Sequence, residues 1–429
     1  MLYLLFHLAL KESGFMKLIK NNWTTLFLTN FLSVFNDNFL KHCIIFVSIG
    51  WILPKWLTQS QLISCVAAAL IVPYLFLSSL AGRLSATHSK LRVFRFGKLL
   101  EIPVLALGAV AFVFHWVWLA VFVVLIMGIL SCLYSPSKYG LIRDIGGPEG
   151  VSFGSGVFEA MAFLGILFGT VAASYLSDHY NIYIQVCLFI GLAVLGYLSC
   201  RQIKAVELPE EESSGTINPL RFLLDSYRFA SKHKYVNCAV LGASVFWLIG
   251  GMIQMNMIIH CVKTLGTSNT VAGAVMSFAA IGIALGTSFA GIWSRKTVRP
   301  EMIPVGLLGM IVCLTAILFF NPSIVMCAIL VFCLAFMGGV FEVPCLALVQ
   351  NADLGRKLGD VIAYLNFVTF IFVLTGTVLF SATAYLTKDN SLAVFGVILV
   401  VCALMLLYYA VRYPEFFTGN RNKQKASGL

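Results

Sequence analysis

Residues 117–141 read VWLAVFVVLIMGILSCLYSPSKYGL, and Lys138 is the single charged residue among them. A bilayer has a hydrocarbon core about 30 Å thick, which roughly 20 apolar helical residues cross. Backbone groups cannot stay unpaired in hydrocarbon, so a spanning segment is either a helix or a strand of a closed barrel. The stretch is far too long for a barrel strand and therefore predicts a transmembrane helix.

Stretches of this kind recur along most of the chain. Of its 429 residues 60% are hydrophobic and 11% are charged, whereas about a quarter of the residues in soluble domains are charged. The sequence predicts an all-α membrane protein with twelve transmembrane helices in two six-helix halves. The predicted spans are 26–53, 60–84, 96–114, 117–141, 151–177, 180–201, 235–263, 268–294, 302–320, 324–350, 358–386 and 390–412.

The net charge of +11 is explained by the membrane topology and does not indicate nucleic acid. When the N-terminus is placed inside, the basic residues concentrate in the inner segments. Only Lys55, Lys263 and Lys388 fall in the outer segments, and Lys41 lies within a span. This is the positive-inside distribution. It predicts that both termini are cytoplasmic.

The chain divides into two similar halves around a polar linker. Pro136 and Gly169 of the first half recur at similar relative positions as Pro344 and Gly376 of the second. Such a parallel repeat of six spans predicts the major facilitator fold. The predicted segments are a cytoplasmic leader (1–20, beginning at Met1 or Met16), an N-terminal six-helix bundle (21–201), a cytoplasmic linker with an amphipathic helix from Pro219 (202–234), a C-terminal six-helix bundle (235–413) and a cytoplasmic tail (414–429).

Polar side chains within the spans identify a candidate cavity, because they are costly in a bilayer and face a partner or a cavity. They gather in the first, fourth, fifth, seventh, tenth and eleventh spans. The third, sixth, ninth and twelfth spans are expected to lack interior charges and to lie outside. The candidate substrate-binding residues are Asn36, Asp37, Asn38, Lys41, Tyr134, Lys138, Glu159, Gln254, Asn256, His260, Glu342 and Asn366.

Several of these residues also have a purely structural interpretation. Asp37 and Lys41 are four residues apart and could neutralise each other as a helical ion pair. Glu159 could be a protonated side chain bonded between helices, and His260 could be a packed residue on an apolar helix. These alternatives stay open on the sequence alone.

The sequence predicts neither an enzyme nor a cofactor. It has no GxxxxGK loop to hold the phosphates of ATP. We also expect no metal-ligand cluster and no serine-nucleophile elbow. The twelve cysteines are scattered through the apolar spans and are expected to be buried small hydrophobes.

Two motifs resemble the bacterial lysophospholipid transporter family. They are Phe35-Asn36-Asp37-Asn38 and the run from Ser135 to Leu141, and the run from Gly154 to Thr170 with Glu159 continues the resemblance. Family members move lysophospholipids across the inner membrane to its cytoplasmic leaflet, where an acyltransferase re-acylates them. The resemblance implies that Asp37, Asn38, Lys138 and Glu159 contact the substrate in a cavity that alternately opens to the two sides.

The resemblance also has departures. Ala86 stands where relatives usually have Asp, which affects the expected cytoplasmic gating contact. No His-x4-Asp acyltransferase motif is present, so the implied partners are the lysophospholipid, membrane lipids and a separate acyltransferase. A proton-coupled exporter of drugs or other amphiphiles, with Asp37 or Glu159 as its titrating carboxylate, is the alternative function.

Overall fold

The computed structural model describes residues 15–47, 59–178, 181–208, 218–294, 296–320, 322–388 and 390–418, and it contains no strand in these ranges. A π-helical turn, His260–Thr264, extends the seventh helix, and a 3-10 turn, Gly355–Lys357, precedes the eleventh. The helices are α1 (Phe15–Val47), α2 (Gln59–Thr87), α3 (Lys90–Val113), α4 (Val117–Asp178), α5 (Ile182–Gln202), α6 (Pro219–Ala230), α7 (Val236–Ile259), α8 (Asn269–Ser294), α9 (Met302–Phe320), α10 (Ile324–Asn351), α11 (Leu358–Leu386), α12 (Ser391–Arg412) and α13 (Glu415–Thr418).

Ten helices in the described part of the chain are long and apolar enough to cross a membrane. One of them, α4, has 62 residues and makes two crossings. The first helix adds another, because its 33 residues exceed the length of a span although its polar residues lower its hydropathy. The described helices thus provide the twelve crossings that the sequence predicts.

The fourth and fifth predicted spans are joined without the expected loop. Gly147 breaks α4 with φ 59° and ψ −173°, a conformation that only glycine adopts at low cost. Pro148 follows directly and begins the second arm of the helix, where its missing N–H is not needed. A single residue therefore turns the chain between the two crossings.

The first crossing also differs from its predicted span of 26–53. The helix begins at Phe15, so it includes the last residues of the predicted leader. Residues 1–14, 48–58 with Lys55, 209–217 of the acidic linker and 419–429 of the tail lie outside the described residues.

The amphipathic helix of the linker is present as α6. Asn218 caps it by accepting hydrogen bonds from the N–H groups of Leu220 and Arg221, and Pro219 occupies its first position. Its buried residues are Phe222, Ser226 and Ala230. The opposite side of the helix carries Leu220, Leu224 and Tyr227, which are exposed.

The two halves meet where α4 contacts α8 and α10, and where α2 contacts α11. One close approach involves Gly156 on the second arm of α4. A Cβ there would lie 2.5 Å from the carbonyl oxygen of Thr287 and 2.7 Å from the Cα of Gly291 on α8. Only glycine permits this backbone contact between the halves.

The expectation that the third span lacks interior charges is wrong. Lys98 and Glu101 of α3 form a buried ion pair. The Lys98 ammonium also donates to Ser33 Oγ at 2.8 Å, and the Tyr134 hydroxyl donates to Glu101 Oε1 at 2.9 Å. The two charges are tolerated inside the N-terminal half because they pair and their remaining polar atoms are hydrogen-bonded.

Candidate functional site

A cavity of about 190 Å³ lies between the two halves. Its walls come from α2 and α4 of the N-terminal half and from α7, α10 and α11 of the C-terminal half. Four of the predicted site residues line it, namely Lys138, Glu159, Glu342 and Asn366. Asn366 Nδ2 donates to Ser135 Oγ at 2.9 Å and so joins the halves at the cavity.

Lys138 is the cation of this cavity. Its ammonium donates to Asn30 Oδ1 at 3.1 Å and lies 5.3 Å from the ring centre of Phe158, 5.4 Å from that of Tyr139 and 6.0 Å from that of Tyr134. Aromatic faces attract a cation electrostatically and hold it where little water reaches. The Lys138 side chain is therefore held by a neutral hydrogen-bond acceptor and three rings, and the carboxyl groups of Asp37 and Glu159 are near enough to interact with it electrostatically.

Two carboxylates face the same cavity from opposite halves. Glu159 on the second arm of α4 accepts a hydrogen bond of 2.8 Å from the Tyr139 hydroxyl. Glu342 on α10 is fully buried. Within the described chain no donor makes a hydrogen bond of good geometry to either of its oxygens, although the Trp247 indole lies beside it. Among its described lining residues the cavity therefore presents one cation and two acidic groups.

The polar residues of α1 are placed elsewhere. Asp37 Oδ2 accepts from Ser131 Oγ at 3.1 Å, and Ser131 is 3.2 Å from the Tyr134 hydroxyl. Lys41 donates to Asn38 Oδ1 at 3.0 Å. Asp37, Lys41, Tyr134, Asn36 and Asn38 do not line the cavity described above. Asp37 and Tyr134 belong instead to the hydrogen-bonded chain that ends at the Lys98–Glu101 pair.

The predicted residues of the seventh span are also away from the cavity. Asn256 Nδ2 donates to the Ser391 carbonyl at 3.0 Å, and His260 Nδ1 is 2.9 Å from Ser391 Oγ. Both side chains thereby fix α7 and its π-helical turn to the start of α12. Gln254 is exposed.

At one end of the helix bundle, contacts between the two halves close the cavity. This end, called here the basic end, carries the loop between α2 and α3, the break at Gly147 and the loop before α11. Ser155 Oγ donates to Gln350 Oε1 at 3.0 Å, and both residues are buried. Arg143 donates to the carbonyl oxygens of Gln350 and Ala352.

Glu207 of the linker completes the closure at the basic end. Its carboxylate accepts hydrogen bonds from the N–H groups of Lys90 and Leu91 at 2.6 and 3.0 Å, and from Ser89 Oγ at 2.9 Å. A carboxylate is stabilised at a helix N-terminus by these N–H groups and by the helix dipole. Glu207 is also 3.8 Å from the buried Arg356 guanidinium of the other half. It therefore supplies, from the linker, an acidic contact between the halves next to the loop between α2 and α3, near which Ala86 has no carboxylate.

The sequence reasoning missed several cavity residues. Tyr139 lies within the quoted run from Ser135 to Leu141 but was not among the predicted site residues. Trp247, Tyr74 and Gln350 also line the cavity, and no charge or motif in the sequence distinguishes them. The role of Glu207 was missed because it was assigned to a flexible acidic linker.

The chain contains one match to the sequence pattern of a serine-nucleophile elbow, although no such elbow is expected. Residues Gly150 to Gly154 read GVSFG and do match the Gly-x-Ser-x-Gly spacing of a nucleophile elbow. That elbow needs a strand before the serine. Ser152 instead lies inside α4, and the described residues contain no strand.

Sequence comparisons relate the chain to lipid transporters. It is 26% identical over 352 residues to the lysophospholipid transporter LplT of Photorhabdus laumondii, a match that covers 79% of this chain and 82% of that protein. The LplT proteins of Shigella sonnei and Escherichia coli are also 26% identical, over 346 residues, covering 78% of this chain and 82% of theirs.

Solved structures share the fold at low sequence identity. The human organic anion transporter MFSD10 superimposes with a TM-score of 0.74 at 15% identity, covering 92% of this chain and 99% of that one. The Escherichia coli fucose:proton symporter FucP gives a TM-score of 0.68 at 14% identity, covering 90% and 98%. These likenesses confirm the predicted major facilitator fold. The profile of the Major Facilitator Superfamily matches residues 26–371 and 238–427, and the chain belongs to this family of membrane transporters.

Proposed function

We propose that this protein carries lysophospholipids across the bacterial inner membrane to its cytoplasmic leaflet by alternating access and without ATP. The observation that carries the proposal is the cavity between the halves, which combines a caged cation with two carboxylates in a chain related to LplT proteins.

The charges of the cavity suit a zwitterionic lipid headgroup. The Lys138 ammonium pairs with the phosphate of the lipid, and Glu159 or Glu342 pairs with an ethanolamine ammonium. Charge-assisted hydrogen bonds of this kind are shorter and about twice as strong as neutral ones. They offset the cost of removing the headgroup from water, which is several kcal/mol for an unpaired buried charge.

The remaining walls suit a single acyl chain. Leu346, Val349, Leu365 and Phe370 line the cavity beside the charged groups. At about 190 Å³ the cavity has room for the headgroup and the start of one acyl chain, whereas a diacyl phospholipid has two chains to place. We therefore expect selection against diacyl lipids.

We also propose an orientation in the membrane and a partner enzyme for this protein. Both termini and the basic end face the cytoplasm, as the distribution of Lys and Arg favours. The closed basic end then corresponds to a state in which the cavity is shut off from the cytoplasm. A separate acyltransferase would re-acylate the product after it reaches the cytoplasmic leaflet.

The proposal is tested with purified protein in liposomes. A fluorescent lysophosphatidylethanolamine is added to one leaflet, and its movement is followed by its accessibility to a surface quencher. We expect faster movement than in protein-free liposomes, and a much smaller effect on a diacyl phosphatidylethanolamine with the same label. Movement no faster than in empty liposomes would contradict the proposal. If a drug-like cation moved instead and followed a pH gradient, the exporter function would replace it.

A further inference from the structure

The linker helix α6 is packed against the protein on one side only. That buried side consists of Phe222, Ser226 and Ala230. The helix contacts α2 of the N-terminal half and α7 and α11 of the C-terminal half. Its end is held by Asn237 of α7, whose Nδ2 donates to the Tyr227 carbonyl oxygen at 3.2 Å and to Ser231 Oγ at 2.7 Å. These contacts fix the rotation of α6 about its axis, so that a defined set of side chains points outward.

The outward side begins with an apolar strip. Leu220, Leu224 and Tyr227 are 70%, 55% and 54% exposed, and at 3.6 residues per turn they lie within an arc of about 60°. Asn237 is the second residue of α7, which crosses the membrane over Val236–Met257. The strip therefore lies at the level where α7 enters the bilayer, and the surrounding lipids are in position to cover it.

A basic strip adjoins the apolar one on the same helix. Its exposed cations are Arg221, Arg228 and Lys232. Asp225 lies 3.8 Å from the Arg221 guanidinium and offsets one of these charges, so the strip keeps a net positive charge. Lys357, in the turn before α11, adds an exposed cation beside the Phe229 ring, 4.8 Å from its centre. An apolar strip beside a basic one is typical of helices that lie in a membrane interface, and the positive charge favours anionic headgroups.

We propose that α6 binds the membrane surface at the basic end. Leu220, Leu224 and Tyr227 insert among the lipids, and Arg228 and Lys232 bind the phosphate groups of anionic phospholipids. This surface is separate from the cavity between the halves, and the inference does not depend on which substrate the cavity carries.

The insertion is tested with a spin label at Leu224→Cys in the cysteine-free full-length protein, reconstituted in nanodiscs that contain phosphatidylglycerol. We expect the label to be shielded from a water-soluble nickel complex and accessible to oxygen, which concentrates in the bilayer. Thr297→Cys is the matched control, because Thr297 is exposed after the end of α8, and its label should stay accessible to nickel. Equal nickel access at the two positions would overturn the proposal and leave this face of α6 free for another protein.

The recognition of anionic lipids is tested by varying the fraction of phosphatidylglycerol in phosphatidylcholine nanodiscs. Shielding of the label at Leu224→Cys should rise with this fraction. Adding Arg228→Gln and Lys232→Gln should raise the fraction that gives half-maximal shielding by roughly twofold or more, because each basic residue near an anionic surface adds attraction.

The matched control for this charge change is Lys296→Gln with Lys388→Gln, which removes two exposed positive charges elsewhere and should leave the half-maximal fraction unchanged. Shielding that does not depend on phosphatidylglycerol, or an equal shift in the two double variants, would overturn the binding of anionic lipids by α6.

Discussion

Lys138 lies in a cage of three aromatic rings and has the Asn30 side chain as its hydrogen-bond acceptor. Because its ammonium has no carboxylate at ion-pair distance within the described structure, it is available to a substrate phosphate. Lys138→Ala removes a charged hydrogen bond of about 1.5–3 kcal/mol, and lysophospholipid transport should fall about ten- to a hundredfold. Lys138→Arg should retain part of the activity, since the charge persists in a different geometry.

The measurement is the initial rate of lipid movement in liposomes at equal protein content. Lys296→Ala is the matched control, because Lys296 is a highly exposed lysine at the basic end and such surface charges contribute little. Equal rates for Lys138→Ala and Lys296→Ala would remove Lys138 from the substrate site.

Lys138, Glu159 and Glu342 could be predicted as cavity residues, because a charged side chain inside an apolar span needs either a partner or a cavity. Sequence reasoning could not separate a cavity from a partner within the same half. Asp37 has the same sequence signal as Glu159, and both carboxylates accept a hydrogen bond from their own half, yet only Glu159 of the two lines the cavity between the halves. Whether a polar side chain faces the cavity depends on how the helices pack against each other. The periodicity of a single helix carries no information about that packing.

The linker segment before α6 acts on the contact between the halves through Glu207. Glu207→Gln removes the charge that pairs with Arg356 and weakens three hydrogen bonds at the start of α3. Since hydrogen bonds to charged groups contribute about 1.5–3 kcal/mol, the basic end should open about ten times more often. The opening is measured as the alkylation rate of a cysteine placed at Ser155 on a cysteine-free background.

Asp225→Asn serves as the control for this change, because it removes an exposed carboxylate of the same linker region. An alkylation rate that rises equally in both variants, or in neither, would show that Glu207 does not hold the basic end closed.

The contact of α4 with α8 depends on Gly156. Gly156→Ala places a methyl group 2.5 Å from the Thr287 carbonyl oxygen, so the two helices must separate and the closed basic end should become less populated. Gly191→Ala is the matched control, because a Cβ there meets no atom within 4 Å. Distances between spin labels on α4 and α8 should lengthen in the first variant only. Unchanged distances in Gly156→Ala would show that this contact does not set the separation between α4 and α8.

Most of the elements could be predicted from the sequence, because each long apolar run must satisfy its backbone as a helix. The boundaries were less accurate. A loop was expected between residues 141 and 151, but the left-handed conformation of Gly147 turns the chain within one residue. The early start of α1 was missed because its polar first turns carry no hydropathy signal.

The distribution of the basic residues predicts the orientation of the whole molecule in the membrane. We expect the loops at Lys55, Lys263 and Lys388 to be periplasmic and the linker over residues 207–215 to be cytoplasmic. Single cysteines at these positions, in a cysteine-free background, should react with an impermeant thiol reagent in intact spheroplasts only at the three lysine positions. Labelling of the linker cysteine in intact cells would reverse the orientation.

Transport by alternating access requires the basic end of the molecule to open. Ser155 and Gln350 lie in opposite halves and are hydrogen-bonded at 3.0 Å, so cysteines at both positions of a cysteine-free protein can be joined across the closed end by a short bifunctional thiol reagent that forms reducible mixed disulfides. The decisive measurement is lysophosphatidylethanolamine movement in liposomes that contain this cross-linked protein, before and after a reductant is added. We expect no movement above that of empty liposomes before reduction and recovery of transport after it. Equal movement in the two states would contradict transport through the cavity between the halves.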